Sequence, residues 1–270
     1  MFYEHRTTAM PASGGDEGKI VGSFTGQSVI VTGAGSGIGR AAARAFAAAD
    51  AGVLAVGRRA DALDKTAAEA PDRISTLSID LCAAGAPQTV VAAAVERWGR
   101  IDALVNNAGI FDLMPLTDLS AQRIDALFAV NVTAPSLLAQ AALPHLRATQ
   151  GAIVNVSSTF GHRPLAGAAH YAAAKAAIEQ LTRSWALELA PDQIRVNAVA
   201  PGPTESEALA AAGLPAELVD QVKAEEAARV PLGRRGAPEE VAQWLLHFAD
   251  PATTWLTGQV LTVDGGLELS

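Results

Sequence analysis

From Gln27 onward, apolar residues fall into two alternating rhythms. Short continuous runs such as Val29-Ile30-Val31 give way to longer stretches where apolar positions recur every three or four residues. The first rhythm fits a strand buried on both faces, the second an amphipathic helix. Strands are expected at Ser28–Thr32, Val53–Val56, Ile74–Ile79, Ala103–Asn106, Ala152–Ser157, Val196–Val199 and Gln259–Val263. Helices are expected at 37–49, 61–69 and 87–98, with long helices between the later strands. One of these runs Ala172–Leu189, with Ile178, Leu181, Trp185 and Leu189 on one face. Near Glu239 another begins, where Pro238 suits the first helical position and two glutamates complement the positive end of the dipole. Strict alternation predicts an α/β fold, a parallel sheet covered by helices on both sides.

A chain of 270 residues, half of them hydrophobic, can bury one large core, so a single domain over residues 27–270 is expected. Residues 1–26 lack periodicity and read as a flexible N-terminal arm. Residues 203–236 hold Pro203, Gly213, Pro215, Pro231 and Gly233 around short helical pieces, the composition of a small lid. A net charge of −8 argues against a nucleic-acid footprint, which needs a clustered basic surface. The longest Ala-rich stretch, Ala41–Val56, is interrupted by Arg44 and Asp50, so no membrane span is expected. The start, with Glu4, His5 and Arg6, carries no secretory h-region; a soluble, cytoplasmic protein is expected. Cys82 stands alone and reads as a small buried hydrophobe, and five scattered histidines predict no catalytic metal.

The candidate chemistry begins with Tyr171 and Lys175, four residues apart on one helix face, in a chain with only two tyrosines. An ammonium beside a phenol favours the phenolate and readies it for proton transfer. Moving a phenol from its reference near 10 by about three units needs roughly 4 kcal/mol, more than one exposed lysine supplies. A second positive charge, or burial, must contribute. After the first strand comes Thr32-Gly33-Ala34-Gly35-Ser36-Gly37-Ile38-Gly39, whose glycines allow a tight turn and close approach of a pyrophosphate to the next helix. The second strand ends in Gly57-Arg58-Arg59, with no carboxylate for a ribose 2′-hydroxyl. Arg58 there suits a 2′-phosphate, so NADP(H) is preferred and NAD(H) stays open.

These residues resemble the short-chain dehydrogenase/reductase family in its compact single-domain form, over Gln27 to Leu267. The segments occur in order: the glycine loop, Asp80, Asn106-Asn107-Ala108-Gly109, Asn131, Ser158, Tyr171 with Lys175, Pro201-Gly202 and Val263-Asp264-Gly265-Gly266. The resemblance implies a Rossmann-like doubly wound sheet of about seven strands and hydride transfer between a nicotinamide cofactor and a ketone or secondary alcohol. It implies an Asn131, Ser158, Tyr171, Lys175 tetrad. Tyr171 would exchange the proton, Ser158 (with Ser157 as adjacent rival) would steady the substrate oxygen, and Lys175 would hold the nicotinamide ribose. Asn131 would anchor a water leading from Lys175 to solvent, or else satisfy buried helix backbone. Cofactor contacts would come from Gly33, Ser36, Gly37, Ile38, Gly39, Arg58, Asp80, Leu81, Asn107, Ala108, Gly109, Tyr171, Lys175, Pro201, Gly202 and Thr204. Ser206 stands where the family often has threonine. Phe111, Met114, Phe160, His162, Leu209 and Leu214 are the substrate-pocket candidates; for His162 a solvated loop position is the alternative. The resemblance also implies a homotetramer acting on a small molecule. An acidic carrier-protein partner is not favoured, since Thr133–Gln193 holds only Arg147, Arg163, Lys175 and Arg183.

Overall fold

A computed structural model describes residues 24–207 and 215–270. Seven strands form one wholly parallel sheet: β1 (Ser28–Thr32), β2 (Gly52–Gly57), β3 (Ile74–Ser78), β4 (Ala103–Asn106), β5 (Ala152–Val156), β6 (Arg195–Pro201) and β7 (Val260–Val263). Successive side chains on a strand face opposite ways, and here both faces are buried. Val29, Val31, Val53, Ala55 and Val105 point to one side, where they meet α1 (Gly37–Ala48) and a late helix, Pro238–Ala249, through Phe46, Leu245 and Phe248. Ile30, Leu54, Leu104 and Ile153 point to the other, against α3 (Ala86–Trp98), α5 (Ala134–Thr149) and α6 (Ala169–Leu189). Helix α2 (Ala60–Ala67) packs at the β2–β3 edge.

The strand order is β3-β2-β1-β4-β5-β6-β7. It reverses between β1 and β4, and in such sheets the crevice beyond the carboxyl ends of the strands at that reversal is where ligands bind. The loops after β1, β2, β3, β4, β5 and β6 all open on this edge.

Several expectations change. Phe24 is fully buried, sits edge-on to Phe46 with ring centroids 5.1 Å apart, and donates its amide to Ala49 O at 2.8 Å. The packed core therefore begins before Gln27; the rest of the expected arm, residues 1–23, lies outside the described residues. Among the described residues, the segment expected as short helical pieces holds a 14-residue helix, α7 (Ala216–Arg229), and α8 (Pro238–Ala249) follows it. Helix α4 (Ala121–Phe128) runs through a π-helical turn, Ala129–Thr133, directly into α5. The continuous stretch Ala121–Thr149 is long and apolar enough to cross a bilayer by length and composition, contrary to the expectation of no such segment. Within the fold its α5 half packs on α3 and β4. Cys82 is exposed rather than buried, because it lies in the turn beyond the edge strand β3.

Candidate active site

The glycine loop is stitched to the loop after β4 by one threonine. Thr32 Oγ1 donates to Val105 O at 3.1 Å and accepts from the amides of Asn107 and Ala108, both at 3.0 Å. Asn107 Nδ2 returns a bond to Thr32 O at 2.8 Å. Gly33 and Gly37 adopt φ of +67° and +50°, the left-handed region that glycine enters without strain. A Cβ on Gly39 would lie 2.3 Å from Gly33 O, so the turn closes only on bare backbone. Ser36 occupies the N-cap of α1 without capping it through its side chain, and the first turn, which includes Ile38, carries no acidic residue. The leading amides of α1 are thus left for an anion. This cradle fits the pyrophosphate of a dinucleotide.

At the β2 and β3 ends, Arg58 is exposed and its carbonyl accepts from Ser78 Oγ at 3.0 Å. Asp80 accepts from the Cys82 amide at 2.9 Å, and Leu81 packs against the core on the α3 side. Although Cys82 is exposed, partial desolvation and the Asp80 charge raise its thiol pKa, with Arg58 opposing. Arg59 pairs with Glu207 at 3.1 Å, and Arg40 approaches the same carboxylate at 3.9 Å. The sequence offered no signal for this clasp, which joins two arginines to the start of the expected lid.

Across the cleft, the β5 end and helix α6 bring Ser158, Tyr171 and Lys175 together. Ser158 accepts from the Phe160 amide at 3.2 Å, and its hydroxyl is near enough to Tyr171 to lower the phenol pKa. Lys175 is buried, donates to Val156 O at 2.9 Å, and lies 5.8 Å from the Tyr171 ring centre. Burial pulls its pKa down to about 8. Burial raises the Tyr171 phenol pKa above its ordinary value, and the neighbouring Ser158 hydroxyl lowers it in part. The expectation that burial would help ionise the phenol is therefore reversed, since a low-dielectric site penalises the phenolate. Positive charge has to supply the shift.

Asn131 sits in the π-helical turn, 2% exposed, where local widening turns its amide toward the loop after β4. Its Oδ1 accepts from Ile110 N at 3.0 Å and its Nδ2 donates to Ile110 O at 2.9 Å. It thus holds loop backbone rather than helix backbone. Gly109 lies between it and the lysine: a Cβ there would be 2.8 Å from Asn131 Oδ1 and 3.4 Å from Lys175 Nζ.

On the lid side, the Gly202 amide donates to Val263 O at 3.0 Å and Thr204 Oγ1 donates to Gly202 O at 3.0 Å, which fixes the exit from Pro201. Ser206 reaches the glycine loop, its Cβ 3.1 Å from where a Cβ on Gly37 would stand. Arg235, unforeseen and with a side chain only 7% exposed, donates to Thr204 O at 2.5 Å and to Glu205 at 2.8 Å, and pairs with Glu226 of α7. Its signal was faint: an arginine after Gly233 whose partners Glu205 and Glu226 stand at no helical or strand spacing from it.

The substrate candidates separate. Phe111 packs edge-on to Tyr171, ring centres 4.9 Å apart, and Phe160 is half-buried beside Ser158. Met114 is 2% exposed in a small cluster with Leu127 and Ala174, so it is core rather than pocket lining. His162 is engaged at both ring nitrogens, by Glu179 at 2.9 Å and by Thr262 and Glu268 at 3.4 Å, which removes it from the substrate set. Leu209 and Leu214 lie outside the described residues. Ser157, the rival of Ser158, donates instead to Glu179. Glu179 was missed, though a carboxylate one turn beyond Lys175 on an otherwise apolar face was a readable sign.

Known proteins match this arrangement along almost its whole length. A family profile described as enoyl-(acyl carrier protein) reductase matches residues 33–268. The chain is 38% identical over 246 residues to a 3-oxoacyl-(acyl-carrier-protein) reductase of Thermotoga maritima, covering 90% of this chain and 98% of that protein. It is 36% identical over 248 residues to a meso-2,3-butanediol dehydrogenase of Serratia marcescens, covering 92% and 96%. A short-chain dehydrogenase/reductase of unknown function from Caenorhabditis elegans, solved with cofactor, superposes with a TM-score of 0.86 at 31% identity, covering 91% and 96%. Since the matches run from the glycine loop to the closing strand and leave almost none of the relatives' length over, the chain belongs to the short-chain dehydrogenase/reductase family and is an NAD(P)-dependent oxidoreductase.

Proposed function

We propose that the protein transfers a hydride between NADP(H) and a ketone or secondary alcohol, with Tyr171 as the proton donor and acceptor. The observation that carries this reading is the convergence of three groups: the Ser158 hydroxyl, close enough to Tyr171 to lower its phenol pKa, and a buried Lys175 whose Nζ lies 5.8 Å from the Tyr171 ring centre. A carbonyl oxygen seated between the two hydroxyls would accept from both, so negative charge developing there is stabilised as Tyr171 releases its proton. Lys175 would hold the nicotinamide ribose and, once protonated, draw the phenol pKa down. A bound nicotinamide supplies the hydride-carrying carbon and, when oxidised, a positive charge. Asn131 would keep Gly109 and Ile110 in place beside Lys175, which gives it a supporting position in the tetrad.

Arg58 is the residue for a 2′-phosphate, with Gly33, Gly37 and Gly39 bringing backbone to the pyrophosphate and Asp80, Leu81, Asn107 and Ala108 on the adenine side. Pro201, Gly202 and Thr204 would close over the nicotinamide, and Phe111 and Phe160 would line an apolar substrate pocket. One observation favours NAD(H) instead: Glu207 already occupies Arg59, so only Arg58 is left for a 2′-phosphate. The carrier-protein substrate in the name of the Thermotoga relative is not carried over. Arg147 pairs with Asp192, Arg163 donates to Ser270 O, Arg183 lies by Glu179, and Lys175 is buried. That face offers little positive charge to an acidic partner.

Exposed Leu137 on α5 and Leu187 on α6 support self-association through these helices, and we extend the proposal to a cytoplasmic homotetramer. The deciding experiment is a cofactor-oxidation screen across ketone classes with NADPH and NADH in parallel. Turnover with ketones and NADPH is expected; absence of oxidation with every ketone and both cofactors refutes the reading.

A further inference from the structure

Glu179 is a carboxylate on α6, one turn beyond Lys175, with a side chain only 4% exposed. A buried charge is costly unless hydrogen bonds satisfy it, so its partners are informative. Its Oε1 accepts from Ser157 Oγ at 2.9 Å and lies 2.9 Å from His162 Nδ1. Its Oε2 faces Arg183 Nη2 at 3.7 Å. Ser157 Oγ also approaches Lys175 O at 3.2 Å, and His162 is backed by Thr262 and Glu268. Between the two tethered residues the chain lies flat on the carboxylate, since a Cβ on Gly161 would come 2.4 Å from Glu179 Oε1. One oxygen atom thus pins both ends of the segment Ser157 to His162. Ser158 is inside that segment, its hydroxyl near enough to Tyr171 to lower the phenol pKa.

We propose that Glu179 is a positioning residue for the reaction, fixing the Ser158 hydroxyl through its clamp on Ser157 and His162. The inference rests on the reading of Ser158 as the hydroxyl that meets the substrate oxygen. Orientation is what such a hydroxyl contributes, and a displacement of about 1 Å can cost roughly a hundredfold in rate. Removing the carboxylate unties both ends of the segment: Ser157 keeps only the longer bond to Lys175 O at 3.2 Å, and the partly exposed His162 ring loses its Nδ1 partner, so the segment is free to shift. The cofactor cradle is built from the β1 and β4 loops and is not touched by this clamp.

The test compares Glu179→Ala, Glu179→Gln, Ser157→Ala and Ser158→Ala in the full chain, using the best ketone from the screen. Each is measured for kcat, KM, NADPH dissociation constant by fluorescence quenching, and melting temperature. Glu179→Ala is expected to lose about a hundredfold in kcat, with KM and the NADPH dissociation constant within about twofold of wild type. Glu179→Gln keeps a carbonyl acceptor and should recover to within about threefold of wild type; Ser157→Ala removes one tether and should lose about tenfold. A folded Glu179→Ala with wild-type kcat overturns the inference, as does equal loss in Glu179→Ala and Glu179→Gln, or NADPH affinity falling together with kcat. If Glu179→Ala fails to fold, full kcat in Ser157→Ala overturns it and the tenfold loss upholds it. Full turnover in Ser158→Ala would instead overturn the Ser158 reading itself, while loss there beside an unimpaired Glu179→Ala refutes only the clamp.

Discussion

The Lys175 ammonium donates to the carbonyl of Val156 at 2.9 Å, joining α6 to the last residue of β5. The bond sets Lys175 at a fixed depth in the sheet edge, one turn below Tyr171, and burial brings its pKa to about 8.

That depression has a stability consequence with a definite sign. Below about pH 8 the lysine is charged in both folded and unfolded chains, and its burial cost is paid in full. Between about 8 and the ordinary 10.5, the unfolded chain binds the extra proton, so this group makes stability rise with pH. Lys175→Met should abolish that rise. Urea unfolding of both proteins from pH 7 to 10 checks it: the difference between them should shift by about 3 kcal/mol across the window.

Tyr171→Phe should lower turnover at least about a hundredfold through loss of the proton donor. The NADPH dissociation constant should stay within about twofold, because the ring and its packing on Phe111 remain. Single-turnover kinetics with fluorescence titration measure both, and retained turnover sinks the role given to the phenol.

Arg58→Ala should weaken NADPH binding about tenfold to a hundredfold by removing a charge-assisted contact, while NADH binding stays unchanged. Glu207→Gln should act in the opposite direction, releasing Arg59 and Arg40 toward a phosphate. Equal effects on both cofactors in titration calorimetry would show that the arginines do not read the ribose.

Asn131→Ala would take the Asn131 partner from the half-buried amide and carbonyl of Ile110, at a cost of about 1 kcal/mol. Chemical denaturation should show that loss, and kcat should fall with it as Gly109 moves from Lys175.

Gly39→Ala should disrupt the cofactor cradle, since the new methyl would stand 2.3 Å from Gly33 O. A dinucleotide affinity unchanged by that substitution would contradict the expected seat of the pyrophosphate.

Local patterns settled much of this protein in advance. Val29-Ile30-Val31 had to be a strand buried on both faces, because three consecutive apolar β-branched side chains cannot all point one way. The four-residue step from Tyr171 to Lys175 had to put phenol and amine on one helix face. Those conclusions depend on backbone periodicity, which neighbours along the chain fix. The clasp of Glu207 on Arg59 and the clamp of Glu179 on Ser157 and His162 depend on distances between residues remote in sequence, which no periodicity encodes. His162 looked free to meet a substrate until packing turned its ring onto a buried carboxylate. Cys82 looked like core until the strand order put β3 at the sheet edge. Burial, set by the whole fold, also reversed the expected effect on the Tyr171 phenol, because only tertiary packing decides how much water surrounds a charge.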